Sequence, residues 1–222
     1  MASLLTRTRP TSAGALRHVS VKGARREASS EMDAEATRGH IVRAADDLFY
    51  KQGFQHTSFA DIADEVGISR GNFYYHFKTK DEILAAVIEA RIAERRRMLR
   101  RWEDEQDTPA GRIRCYINIV ITNSADIENY GCPVGTLTTE LSKLGHGSLE
   151  SATEIFTLFR TWLREQFAAL GRTDDADELA MRVLAFSQGI ATMSNAYQDR
   201  EFVRREVDRL CGWVDAQAAQ AV

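Results

Sequence analysis

The sequence predicts an all-α fold, in which an N-terminal helix-turn-helix unit of three helices is joined by a long helix to a larger C-terminal helical domain. Three observations predict it. Only three prolines interrupt 222 residues. Apolar residues recur at three- and four-residue spacing, as on one helix face, rather than alternating as in a strand. Helix-start signals follow one another closely between Ser58 and Thr79, with Gly67 between them. The chain is 44% hydrophobic and 27% charged, an ordinary globular balance. No run approaches the ~20 apolar residues of a membrane helix, so no membrane partner is expected.

The expected divisions are a disordered N-terminal extension over 1–33, the helix-turn-helix domain over 34–80, and the C-terminal domain over 81–222. The extension is rich in Arg, Ser and small residues and has no sustained periodicity. Two readings of it stand: a flexible basic arm, or a segment outside the natural protein, with translation starting at Met32. From about Ala34 to Gln52, Ile41, Ala44, Ala45, Leu48 and Phe49 share one face, and Gly53 closes the helix. Ser58 with Asp61 reads as a capping box, Ser69 as the next cap, and Thr79 with Glu82 as a second box opening a helix that runs to about Trp102. Two short helices separated by a glycine turn spell a helix-turn-helix. Further on, Thr108-Pro109 starts a helix. The stretch "NYGCPVGTL" breaks the chain before a shorter helix ending at Gly145, and three longer helices follow.

Charge is divided unevenly. Residues 1–36 carry six Lys/Arg against four Asp/Glu, residues 37–102 twelve against nine, and residues 103–222 eleven against nineteen. The front of the chain is thus positive and the back strongly negative, which points to a polyanion meeting only the front. Cys115, Cys132 and Cys211 form neither a disulfide framework nor a zinc pattern, in keeping with a reducing cytoplasm. His40, His56 and His146 lie far from Cys132 in element order, and no Ser/His/Asp or metal-ligand spacing appears. No catalytic residue, metal or cofactor is therefore expected, and the chain does not read as an enzyme.

The densest signal is "ISRGNFYYHFKTKDEI", residues 68–83. On a helix, Phe73 and Phe77 fall together as core, while Gly71, Asn72, Tyr75 and His76 occupy the opposite half and Tyr74 the border. Gly71 permits a close backbone approach. Asn72 suits adenine and Arg70 guanine in a major groove. Arg70 starts nearer the Phe face, so its direction stays open. Tyr74, Tyr75, His76 and Lys80 suit phosphate oxygens, with Thr57 and Ser69 at helix starts beside them.

"TSFADIADEVGISRGNFYYHFKTKDEIL" resembles the DNA-binding domain of the tetracycline-repressor (TetR) family of bacterial regulators. The match runs through Thr57, Ile62-Ala63, Gly67, Ser69, Gly71 and the "FYYHFKTKDEIL" run, and covers about residues 38–90. The resemblance implies DNA contacts at Thr57, Arg70, Asn72, Tyr74, Tyr75, His76 and Lys80. It also implies a homodimer on double-stranded operator DNA, with a small-molecule effector bound among the C-terminal helices, whose occupancy releases the DNA.

For that pocket the sequence supplies Tyr116, Val120, Cys132, Leu137, Phe156, Phe159, Trp162, Phe186 and Met193 as walls. Cys132 reads as the N-cap before Pro133, where the positive helix end favours a thiolate, so thiol modification is a second expected release signal. For the dimer interface the last two helices offer Phe186, Gly189, Ile190, Met193, Phe202, Leu210 and Trp213. The rival expectation is an architectural DNA-binding dimer without inducer.

Overall fold

The computed structural model describes residues 21–219, with side chains from Met32 onward. Among them lie α1 (Val21–Gln52), α2 (Phe59–Val66), α3 (Arg70–His76), α4 (Lys80–Glu105), α5 (Pro109–Thr122), α6 (Ser124–Tyr130), α7 (Pro133–Leu144), α8 (Leu149–Ala169), α9 (Ala176–Tyr197) and α10 (Arg200–Ala219), and no strand. The all-α expectation holds. Helix α1 begins at Val21, ahead of the expected start near Ala34, and the other part of the expected disordered extension, residues 1–20, lies outside the described residues.

Among the described residues, packing divides the chain after Arg38. In the first unit, α1 carries a Thr37 hydroxyl that donates to the Asp33 carbonyl at 2.9 Å. The second unit holds two hydrophobic clusters. One gathers Ile41, Phe49, Phe54, Ile62, Phe73, Phe77, Ile83, Leu84 and Val87, from α1 to the start of α4. Leu137 and Leu141 of α7 and Ala152 of α8 complete it. The other lies among α4, α5, α8, α9 and α10, around Ile113, Ile117, Ile155, Leu163, Phe167, Val183 and Val207. Residues 80 and 81 therefore mark no gap in packing, because α7 reaches across and contributes to the first cluster.

The caps explain the helix ends. Ser58 and Asp61 form the expected capping box, and Gly67, at φ 72°, ends α2 in the left-handed conformation that a Cβ disfavours. Ser69 Oγ accepts from Asn72 N at 3.3 Å, and Thr79 Oγ1 accepts from Glu82 N at 3.1 Å. The second expected box is only half formed: the Glu82 carboxylate turns back to Lys78 N at 2.7 Å, one residue before the cap. The run after Pro109 is also not one helix, since Asn123 interrupts it and α6 starts anew.

Candidate nucleic-acid interface and the cavity behind it

Helix α3 is seven residues long and is held by one side. Phe73 and Phe77 are each 1% exposed, and Phe59 of α2 packs on Phe73 and Tyr74 at ring distances of 5.0 and 5.4 Å. The opposite side is open: Arg70, Gly71, Asn72, Tyr74 and Tyr75 are exposed, Tyr75 by 72%, and His76 is half-buried with its ring 5.1 Å from that of Tyr75. Ser69, exposed, is used as the cap. A Cβ on Gly71 would meet nothing within 4 Å, so no packing inside the chain requires a glycine there. Arg70 is turned outward, lining a shallow groove with Ser58, Phe59, Ala60, Ala63 and Tyr74 between α2 and α3. Its direction, open in the sequence, is away from the core.

Two expected phosphate ligands are committed elsewhere. Thr57 is 1% exposed and its hydroxyl donates to the Gly53 carbonyl at 2.8 Å. Lys80 Nζ donates to the carbonyls of Phe54 at 2.7 Å, Gln55 at 3.2 Å and Thr57 at 3.0 Å, and lies 4.4 Å from the centre of the Phe54 ring. Burial holds its pKa below the ordinary lysine value. Residue 80 is the first residue inside α4, so its stem points back across the α1–α2 loop rather than out. On the other flank of that loop the Glu140 carboxylate of α7 accepts from Phe54 N at 2.9 Å and Gln55 N at 2.8 Å. Lys80 and Glu140 together clamp the loop that leads into α2. The exposed Lys78, overlooked in the sequence, stands outside α4, and its ammonium meets the Tyr74 carbonyl.

In the C-terminal part of the chain a cavity of about 70 Å³ opens among α4, α5, α6, α7, α8 and α9. Tyr116, Val120, Cys132, Phe156 and Phe159 line it. Tyr116 and Phe159 meet edge to face at 5.1 Å, and the buried phenol of Tyr116, bonded to Ser187, is pushed above its usual pKa mainly by desolvation. Four expected walls lie elsewhere. Leu137 belongs to the other cluster, because α7 turns that face toward α1 and α4. Trp162 stacks near Trp102 at 5.9 Å and donates Nε1–H to Glu103 at 2.7 Å. Phe186 and Met193 sit on the outer face of α9, 38% and 37% exposed. The sequence reading missed Arg95, Met98, Asn123, Ser187 and Gln188, which also line the cavity. Arg95 stood within a run of three arginines, "RRR", whose helical phases only the neighbouring helices reveal.

Three consecutive residues join this cavity to the first cluster. Gly131, at φ 79°, turns its carbonyl to the Tyr50 hydroxyl of α1, which donates at 2.6 Å. Cys132 lines the cavity and also an outer groove beside Gln52, Gly53 and Glu140. It occupies the N-cap of α7 without a side-chain capping bond. The Pro133 carbonyl accepts from Arg91 of α4 at 2.6 Å, and the same guanidinium, 4% exposed, holds Asp46 of α1 at 2.6 Å. Cys115 and Cys211 have their pKa values raised, chiefly by burial.

Much of the outer face of α9 is apolar: Phe186, Met193 and Tyr197 are exposed, the last by 75%, with Gly189 open between them. The exposed Arg182 and Thr192 stand on the same helix, and Met181, also exposed, lies about 140° round from Phe186. Two residues expected at a dimer interface point inward instead, Ile190 at 4% and Leu210 at 5% exposure, because they fill the core between α9 and α10. Phe202 is half-buried, and Trp213 lies between Phe167, 6.2 Å away, and the Arg182 guanidinium, 4.8 Å away. Among the described residues no helix is long and apolar enough to cross a membrane.

Residues 41–87 match the family described as bacterial regulatory proteins, tetR family, and residues 109–208 match the C-terminal domain of transcriptional regulators described as LmrA/YxaF-like. A Lactococcus lactis protein, an uncharacterized HTH-type transcriptional regulator in the lacX 3' region, is 28% identical over 178 residues, 78% of this chain and 91% of its own. The HTH-type transcriptional repressor DhaR of a Mycobacterium species is 24% identical over 74% of this chain and 85% of its own. A crystal structure of a TetR transcriptional regulator from Chloroflexus aurantiacus shares the fold with a TM-score of 0.73, at 19% identity over 83% of this chain and 96% of its own.

The Lys80 geometry carries a direct test. Lys80→Met removes a cation bound to three carbonyls, so urea unfolding should show a loss of roughly 1–3 kcal/mol. The slope of log K against log salt for DNA should stay unchanged, whereas loss of a phosphate contact lowers it by about 0.9.

Proposed function

This chain belongs to the TetR family of bacterial regulatory proteins, and on that premise we propose that it is a homodimeric repressor that leaves its double-stranded operator when a small molecule fills the cavity or Cys132 is modified. That it is a DNA-binding transcriptional regulator follows from the family and its relatives. The finer reading rests on one observation: Cys132 lines the cavity, and the carbonyls on either side of it, of Gly131 and Pro133, bond to α1 and α4.

In this mechanism α3 enters the major groove. Asn72 and Arg70 meet base edges, Tyr74, Tyr75 and His76 position the helix on phosphates, and Gly71 lets the backbone approach. Lys78 joins the phosphate set, while Lys80 and Thr57 hold the loop behind it. The apolar outer face of α9 pairs two copies, which sets two α3 helices one DNA turn apart, about 34 Å. An effector that wedges the cavity open displaces the start of α7. The carbonyls of Gly131 and Pro133 then pull on Tyr50 and Arg91, and the α3–α3 spacing no longer matches successive grooves. Release amounts to a difference in effector affinity between the two spacings.

An apolar cavity that also carries Arg95, Asn123, Ser187 and Gln188 in its lining supports an effector over a purely architectural role. The position of Cys132 between cavity and outer groove supports the thiol arm, since a reagent reaching either space meets the same sulfur.

Two measurements follow once an operator has been selected from random duplexes. Asn72→Ala should cost ~1–3 kcal/mol at the selected site and leave non-specific binding unchanged; unchanged operator preference would remove Asn72 from base reading. Treatment with N-ethylmaleimide should release operator from the wild type and spare Cys132→Ser in fluorescence anisotropy. Equal release from both proteins would eliminate the thiol arm.

A further inference from the structure

The cavity carries more information than its position. Its walls are aromatic and aliphatic: Tyr116, Phe156 and Phe159 line it together with Val120, Ile127 and Val134. Against this apolar lining stands one charged side chain among the described residues, Arg95 of α4, and no carboxylate. Arg95 is half-buried, with 22% of its side chain exposed. Its ion pair is with Glu94, its neighbour in sequence, at 3.4 Å, and that carboxylate is 59% exposed. Adjacent residues on a helix diverge by about 100°, and an ion pair this exposed adds little. Arg95 thus brings a positive charge to a lining that holds no buried carboxylate to compensate it. Asn123 and Gln188 add amide groups to the same lining.

From this lining we infer that the effector is a small aromatic acid, its carboxylate on Arg95 and its ring between Tyr116, Phe156 and Phe159. This rests on the reading of the cavity as the effector site. The planar guanidinium offers two parallel N–H donors that match a carboxylate, and an apolar surrounding strengthens that pair. The size sets the class. A cavity of about 150 Å³ admits benzene, and this one holds about 70 Å³. A single ring must thus push a wall outward, and larger polycyclic molecules must push it much further. The wall that has open space behind it is the one shared with the outer groove. Gly135 lets α7 lie directly against Gln188, whose Oε1 would be 2.6 Å from a Cβ there, and Cys132, Phe156 and Gln188 separate the cavity from the outer groove. Binding an acid in this space moves the first turn of α7.

The test uses the full-length protein at neutral pH and isothermal titration with three matched pairs: benzoate and benzamide, phenylacetate and phenylacetamide, 4-hydroxybenzoate and 4-hydroxybenzamide. At least one acid should bind roughly tenfold or more tightly than its own amide. Arg95→Gln should abolish that preference while leaving the affinity for the amide as it was. Arg95→Lys, which keeps the charge and loses the fork, should retain part of it. If no acid outbinds its amide, or if the preference survives in Arg95→Gln, the inference is overturned. Operator release is measured separately by anisotropy. An acid that binds through Arg95 without releasing operator upholds the acid site and refutes the release mechanism.

Discussion

The structure depends on one backbone turn. Gly131 is buried and adopts φ 79° and ψ −169°, a combination essentially reserved for glycine. A Cβ there would lie 2.8 Å from Thr136 Cγ2. Because the chain turns so sharply, two carbonyls separated by one residue point to different helices: that of Gly131 to Tyr50 of α1, that of Pro133 to Arg91 of α4. The Arg91 guanidinium is buried and already holds Asp46, so its position is fixed by charge as well as by packing. Loss of Asp46, whose side chain is 34% exposed, would leave the buried Arg91 charge without its carboxylate, so the bonds at this junction hold one another in place and keep it stiff. A stiff junction transmits displacement rather than absorbing it.

Helix α7 extends the same logic. Its first turn borders the cavity, its middle gives Leu137 and Leu141 to the cluster around α1 and α4, and Glu140 holds the backbone of the α1–α2 loop. Lys80 grips the other side of that loop. The support of α2, and through Phe59 and Phe73 that of α3, is thus shared between a residue at the start of α4 and one on a helix that also walls the cavity. One helix touches both the cavity and the loop before α2.

Much of the DNA-facing half was legible in the sequence because its signals are local. Ser58 with Asp61, Gly67 and Ser69 each act within four residues, and the phases of Phe73 and Phe77 follow from helix geometry alone. What escaped was long-range. Lys80 looked like a phosphate ligand until the fold showed three carbonyls from residues 54–57 around its ammonium. In the second domain, aromatic residues at helical spacing were visible, but their destinations were not. Phe156 and Phe159 reached the cavity, Trp162 was drawn to Glu103, and Phe186 faced outward. Cys132 was placed correctly as the N-cap by Gly131 and Pro133, whereas its link to α1 and α4 depends on Tyr50 and Arg91, which are 82 and 41 residues away in sequence.

Coupling between operator and cavity is reciprocal: if the cavity wall controls the DNA-binding helices, then DNA must alter the cavity wall. Hydrogen–deuterium exchange of the full-length protein, with and without its selected operator duplex, tests this without knowledge of the effector. The account predicts that operator changes the exchange of residues 131–137 as well as that of α3. In Tyr50→Phe combined with Arg91→Gln, the change at 131–137 should disappear while that at α3 persists. A change confined to residues 53–80 in the wild type would contradict it.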